Sequence, residues 1–355
     1  MIKIIYKAFA LFFLVSTTVL FTQCGSDKKG EIEEVNTDDI KLTIDLKRFD
    51  QDLFNARTAE EVLALEKKYP DFYSVYMYEL MSGITSNGAT PPLEAAANII
   101  RNFTTVPDFG LWLKQRADSV FPSLEPFKAE LTEAMKRYKY FFPQDTIPQF
   151  ITFLSPLVIN FPVIEGRNQI GIGLDMYLGS DFKVYHAPNL MDQFPNYRIR
   201  KMRKEYLLRD LITALSENKL QSIKGDSRLL DEMIKEGKIL YMVDAILPKT
   251  EDSIKMGYTP AQLKWAEQNE SDIWASLVNS EVLYTTNPMT LRDFTNDGPF
   301  TTAKDFGNGT APRIGSYIGW RIVKQYMEKN PKITLAQLLK LVDADDILTK
   351  SKYKP

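Results

Sequence analysis

RKMRKEYLLRDLITAL (residues 200–215) is the stretch on which the reading of this chain turns. Counting from Lys204, the positions three, four and seven later are Leu207, Leu208 and Leu211, so an apolar stripe runs at helical spacing and predicts an amphipathic helix. Lys204 heads that stripe. Glu205 lies beside it, with Met202 and Ile212 as neighbours and Arg209 one turn on. One reading makes Glu205 and Arg209 a surface i,i+4 pair worth about 0.2–0.5 kcal/mol, with Lys204 reaching past the leucines to water.

The next helix changes that weighting. SRLLDEMIKEGKILYMVDAILP (227–248) predicts a helix capped at Asp226 or Ser227 and stopped by Pro248. Glu236 lies on its apolar face, between Leu229 and Met233 on one side and Leu240 and Val243 on the other, where an acid is either paired or has a raised pKa. Gly237 beside it is unfavourable within a helix by about 1 kcal/mol, which predicts the close approach of another element. Two helices, each with an ionisable residue on an apolar face, predict an internal pair of Lys204 with Glu236 or Glu205. A late helix, APRIGSYIGWRIVKQYM (311–327), sets Gly315 and Gly319 four apart as a groove for close contact. Arg313 and Tyr317 share that general face and either line a cleft or belong to ordinary packing.

Outward from these helices the texture varies. LTIDLKRFD (42–50) alternates like a short strand, and TAEEVLALEKKYP (58–70) opens with a capping box at Thr58 and Glu61. FYSVYMYELM, PPLEAAANIIRNF and LEPFKAELTEAMKRYKYFFP continue a helical region that closes at Pro143. IPQFITFLSPLVINFPVI (147–164) and NQIGIGLDMYLG (168–179) are rich in β-branched and aromatic residues, and EGRN (165–168) reads as a hairpin turn between strands. The expected fold is α+β, mostly α-helical, with a small antiparallel sheet. Helices are expected at 199–218, 227–247, 260–278, 312–329 and 334–342.

The first residues stand apart. Lys3 and Lys7 precede AFALFFLVSTTVLF, an apolar run of roughly 14 residues where a bilayer-spanning helix needs about 20. Residues 1–23 therefore read as a signal peptide. Cys24, the single cysteine, follows at once, as in a bacterial lipoprotein whose thiol is acylated, although Gln23 is bulkier than the usual small residue there; secretion as a soluble protein with a free thiol is the other reading. GSDKKGEIEEVNTDDI makes 24–40 a polar tether, followed by the helical region 41–142 and a core at 143–355, the last two forming one compact unit. The net charge of −2, or about −4 without the leader, argues against nucleic acid and against a polybasic membrane patch. Membrane attachment then rests on the acyl chains at Cys24. Gly25 after the cysteine favours the outer membrane of the envelope.

Metal chemistry has little to work with. Catalytic zinc takes imidazoles, thiolates or carboxylates, usually three plus a water. The chain has one histidine, His186, in the loop HAPNLMDQFPNY, and its one cysteine is assigned to lipid. No calcium loop of the DxDxDG type and no nucleophile motif is present, so no cofactor and no metal is expected.

The order of these pieces resembles a known family. The strand-like NQIGIGLDMYLG before KEYLL, Glu236-Gly237 on the following helix, APRIGSYIGWRIVKQYM late in the chain, and the early IDLKRFDQDLF (44–54) with Cys24 together resemble the GldB family, lipoproteins of gliding motility in Bacteroidetes. That family in turn is similar to zinc peptidases of the gluzincin type, where a His-Glu-x-x-His helix and a later glutamate hold the metal. The resemblance implies a zincin-like helical core in which Lys204 and Leu208 occupy the two histidine positions, Glu205 that of the general base and Glu236 that of the third ligand. An ammonium repels a dication and a leucine donates nothing, so it implies the fold without the chemistry. The expectation is a non-catalytic envelope lipoprotein with no catalytic residues, acting by contact with other proteins of the gliding or associated secretion machinery. One rival is a metallohydrolase using Glu205, Glu236, Asp175 or His186. The other is a peptide- or glycan-binding module with an aromatic cleft near Tyr206, Tyr317 and Trp320.

Overall fold

Leu46–Arg48, the end of the alternating LTIDLKRFD segment, forms strand β1 of a four-stranded sheet. The structure, a computed structural model, describes residues 35–85, 90–158, 163–166, 168–222, 225–302 and 309–355; the signal peptide, Cys24 and the tether up to residue 34 lie outside these residues. Ile32–Pro355 form one compact unit. Strands β2 (Gln149–Phe153), β3 (Val163–Gly166) and β4 (Gln169–Gly173) complete the sheet in the order β1-β2-β4-β3.

The expected antiparallel sheet is corrected here. β1 pairs with β2 and β2 with β4 in parallel; only the edge strand β3 runs antiparallel, to β4, as the hairpin at EGRN requires. The physical reason is visible in the burial. β2 and β4 each have four consecutive buried residues, so both faces are covered, the signature of strands inside a parallel sheet rather than of a half-solvated antiparallel one. Parallel neighbours need a long crossover, and the helical region supplies it between β1 and β2.

That helical region docks through aromatics. Phe49 meets Tyr69, Phe72 and Tyr76 with ring centroids 4.6–5.1 Å apart, and Phe72 and Tyr76 continue to Phe153 on β2. A Cβ at Gly171 of β4 would lie 2.7 Å from the Phe72 ring, so this glycine is what lets the ring lie on the sheet. The Thr58 hydroxyl accepts from the Glu61 amide at 3.3 Å and the Glu61 carboxylate accepts from the Thr58 amide, closing the capping box.

In the second half, the KEYLL segment is the helix Lys204–Glu217, SRLLDEM opens the central helix Leu229–Ile246, and the late helix is Ile314–Lys329. The central helix starts one residue beyond the expected cap: Arg228 stands there, and Asp231 accepts from its amide and its guanidinium, each at 2.9 Å. The helix expected at 260–278 breaks at Asn269 into Pro260–Gln268 and Glu270–Asn279. Central and late helices touch backbone to backbone. A Cβ at Gly237 would fall 2.3 Å from the Gly319 carbonyl oxygen, and one at Gly319 only 1.8 Å from that of Met233.

Candidate functional site

Lys204 and Glu205 occupy the first turn of their helix, and both are exposed. The basic residues at this end oppose the helix dipole, and no side chain caps it. Arg209 pairs with Asp210 at 2.9 Å rather than with Glu205. The leucines point elsewhere: Leu207 and Leu211 are buried, and Leu208 lines a cavity of about 950 Å³ with Ala134, Ile246, Leu247 and residues 35–38.

Glu236 belongs to a different neighbourhood. It borders a second cavity, of about 470 Å³, with Glu217, Gln221, Asp231 and Lys235. Its carboxylate accepts from the Arg313 guanidinium at 2.6 Å, the two side chains being 20% and 15% exposed. The expected pair of Lys204 with Glu236 is thus replaced by Arg313–Glu236. Arg313 stands in the left-handed region, φ 54°, at the N-cap of the late helix. That conformation costs a residue with a Cβ about 1–2 kcal/mol, which the ion pair with Glu236 helps to offset. Proximity to Glu236 also raises the Glu217 carboxyl, after the larger effect of burial.

Tyr317 is buried, and its hydroxyl donates to Glu270 at 2.9 Å. Glu270 is a hub: Arg321 donates to it at 3.0 Å and the Tyr353 hydroxyl at 2.8 Å. Tyr206 and Trp320 are buried as well, so the three aromatics proposed for a cleft are packed within the fold. Asp175 is fully buried and accepts from the Ser155 hydroxyl and amide and from the Leu157 amide at 2.7–3.2 Å, tying the end of β2 to the end of β4. Burial, only partly opposed by those donors, pushes it up to about 6. His186 is exposed at the end of a short 3-10 turn, its Nε2 2.8 Å from the Ser180 carbonyl oxygen. Asp175, His186, Glu205 and Glu236 therefore each have separate surroundings. Among the described residues no group of three or more His, Cys, Asp or Glu is arranged to hold a metal ion, and no helix is long and apolar enough to cross a membrane.

The buried charge of this half lies two turns beyond Glu236. Asp244 accepts from Lys255 at 2.6 Å, Lys324 at 2.8 Å and the Trp320 indole at 2.9 Å, and Lys324 also lies 4.0 Å over the Trp320 ring. Burial alone lowers the Lys255 ammonium, but Asp244 and Asp252 reverse this and hold it above its ordinary value. The signal was present in the sequence, since Asp244 sits in the otherwise apolar MVDAI, with Trp320 and Lys324 on one face at i,i+4.

Comparison with curated proteins and with solved structures returns no match. A family model does match, over residues 30–355, which is nearly all of the chain beyond its leader: that of the gliding motility protein GldB. With the four-stranded sheet and its crowd of helices covering the same span, this chain belongs to the GldB family of gliding motility lipoproteins.

Proposed function

We propose that this lipoprotein works without catalysis, by holding other envelope proteins of the gliding or associated secretion machinery in place. One observation carries the reading. The glutamate matched to a third zinc ligand, Glu236, is neutralised by Arg313, and the two remaining ligand positions hold an exposed ammonium and a leucine turned to another cavity. A carboxylate already holding a guanidinium is a poor ligand, and Glu205 has no polarised water to activate. A zincin-like ancestry for the helical core fits this arrangement and rests on the resemblance alone. In this reading Cys24 carries the lipid, residues 24–40 are the tether, 41–142 and 143–355 act as one body, and the outer membrane is the site of anchorage.

The test combines two measurements on the purified lipoprotein and its cells. Crosslinking in intact envelopes followed by capture should recover a fixed set of motility or secretion proteins. Metal analysis should find less than stoichiometric zinc, and chelator should leave the melting temperature unchanged. Peptide cleavage that disappears in Glu205→Gln would reject the proposal in favour of the hydrolase.

A further inference from the structure

The segment from Arg198 to Arg209 concentrates Arg198, Arg200, Lys201, Arg203, Lys204 and Arg209 against a single acid, Glu205, in a chain whose net charge is negative. The fold gathers part of this charge around a cavity of about 250 Å³ lined by Arg198, Lys201, Arg209, Tyr177, Asp210 and Asp297, with Met176 and Met202 as its apolar wall. Two acids hold two of the cations: Lys201 pairs with Asp297, and Arg209 with Asp210, which also accepts from the Tyr177 hydroxyl at 3.0 Å. Arg198 has no carboxylate partner among the described residues; its guanidinium makes one long contact, 3.4 Å, to the Gln193 carbonyl oxygen.

More positive charge stands behind the lining. Arg203 and Arg209 both lie over the Tyr206 ring, at 5.5 and 5.3 Å, and the buried Nε of each lacks a hydrogen-bond partner, as does that of Arg313. Like charges sharing one ring, with donors unsatisfied, form an arrangement that an added anion would stabilise. Lys201 registers the imbalance. Burial lowers its ammonium to about 8, with Arg209 and Arg313 adding to the fall and Asp297 opposing it.

The geometry points to a binding site for a phosphate-type oxyanion in this cavity, with Arg198 as the open fork and Lys201 and Arg209 completing the positive wall. Phosphate fits because guanidinium groups donate to it in pairs while an ammonium supplies a point charge. The source is either a soluble phosphate or the headgroup of an anionic lipid, and the methionine wall gives the latter's glycerol backbone an apolar contact.

The experiment uses the intact lipoprotein in neutral detergent, titrated calorimetrically with inorganic phosphate, dihexanoyl phosphatidylglycerol and dihexanoyl phosphatidylcholine. Saturable binding of phosphate or of the glycerol lipid is expected, whichever binds tighter naming the source. Arg198→Gln should weaken it about ten-fold or more, as loss of a charge-assisted pair implies. Lys204→Gln, the same charge change outside the cavity, should leave it within about two-fold. Arg198→Lys, which keeps the charge without the fork, should fall between, and it replaces Arg198→Gln if that variant does not fold. The proposal is overturned by the absence of saturable binding, by equal binding of the zwitterionic and anionic lipids, or by Lys204→Gln weakening binding as much as either Arg198 variant.

Discussion

Glu236 and Asp244 stand on one helix, two turns apart, and differ in nearly everything except charge. Glu236 sits at the rim of a cavity with one guanidinium for company, one-fifth exposed. Asp244 is 5% exposed and is surrounded by two ammonium groups and an indole N–H. A rim carboxylate keeps part of its solvation and so depends less on its partner. A buried one is tolerable only while its partners stay, because either charge left alone must bear its desolvation. The position that resembles a metal ligand is thus the loosely held one, and the tightly held acid lies where no ligand was expected.

The contrast can be broken most forcefully at Asp244. Asp244→Asn leaves Lys324 without its carboxylate and Lys255 with only the half-exposed Asp252, and should cost about 3–5 kcal/mol in urea unfolding. A midpoint close to that of the parent chain would show that the acid is dispensable. Asp175 offers a third case, a buried carboxylate kept by neutral donors. Its replacement by Asn turns an acceptor into a donor against those N–H groups and should cost about 1–3 kcal/mol.

The pH dependence of Asp175 has a definite sign. An unfolded aspartyl releases its proton near pH 3.9, whereas this one does so at about 6 in the fold. Between those values the folded chain holds a proton that the unfolded chain has lost, so this residue's contribution to stability is fullest below pH 4 and falls as pH rises through 6. The gap between parent and Asp175→Asn should accordingly be wider at pH 4.5 than at pH 7.5; a gap that widens with pH would contradict the assignment. Smaller effects belong to the rim. Glu236→Gln should cost about 1 kcal/mol, and a cycle with Arg313→Gln should assign most of that to the pair. Lys204→Ala, exposed and outside any ion pair among the described residues, should stay within about 0.5 kcal/mol, and a fall in melting temperature as large as that of Asp244→Asn would restore the internal pairing read from the sequence.

Much of the architecture was legible before the structure. Helix positions followed from 3.6-residue periodicity, the Thr58 cap from its box, and the approach at Gly237 and Gly319 from two glycines that a helix would otherwise avoid. Strand direction was not legible from the turn residues. EGRN predicts a hairpin and with it an antiparallel sheet, yet that turn relates only β3 to β4, while β2 and β4 pair in parallel. Their near-continuous apolar runs, FITFL and IGIGL, are the better clue. Periodicity also says which face of a helix is apolar and not what stands opposite it. It put Glu236 and Lys204 on apolar faces, and the partner of the first proved to be Arg313, 77 residues downstream in sequence.

The pairing of β1 with β2 carries a consequence for how the chain assembles. Leu46 waits for Phe150, and every residue of the intervening helical region must appear before that ladder can close. However the chain is delivered, the first strand stays unpaired until about 100 further residues have followed it. Until then Phe49 and Phe54, whose ring partners lie farther along the helical region, have yet to be buried, so the N-terminal half is where a chaperone would earliest find something to hold.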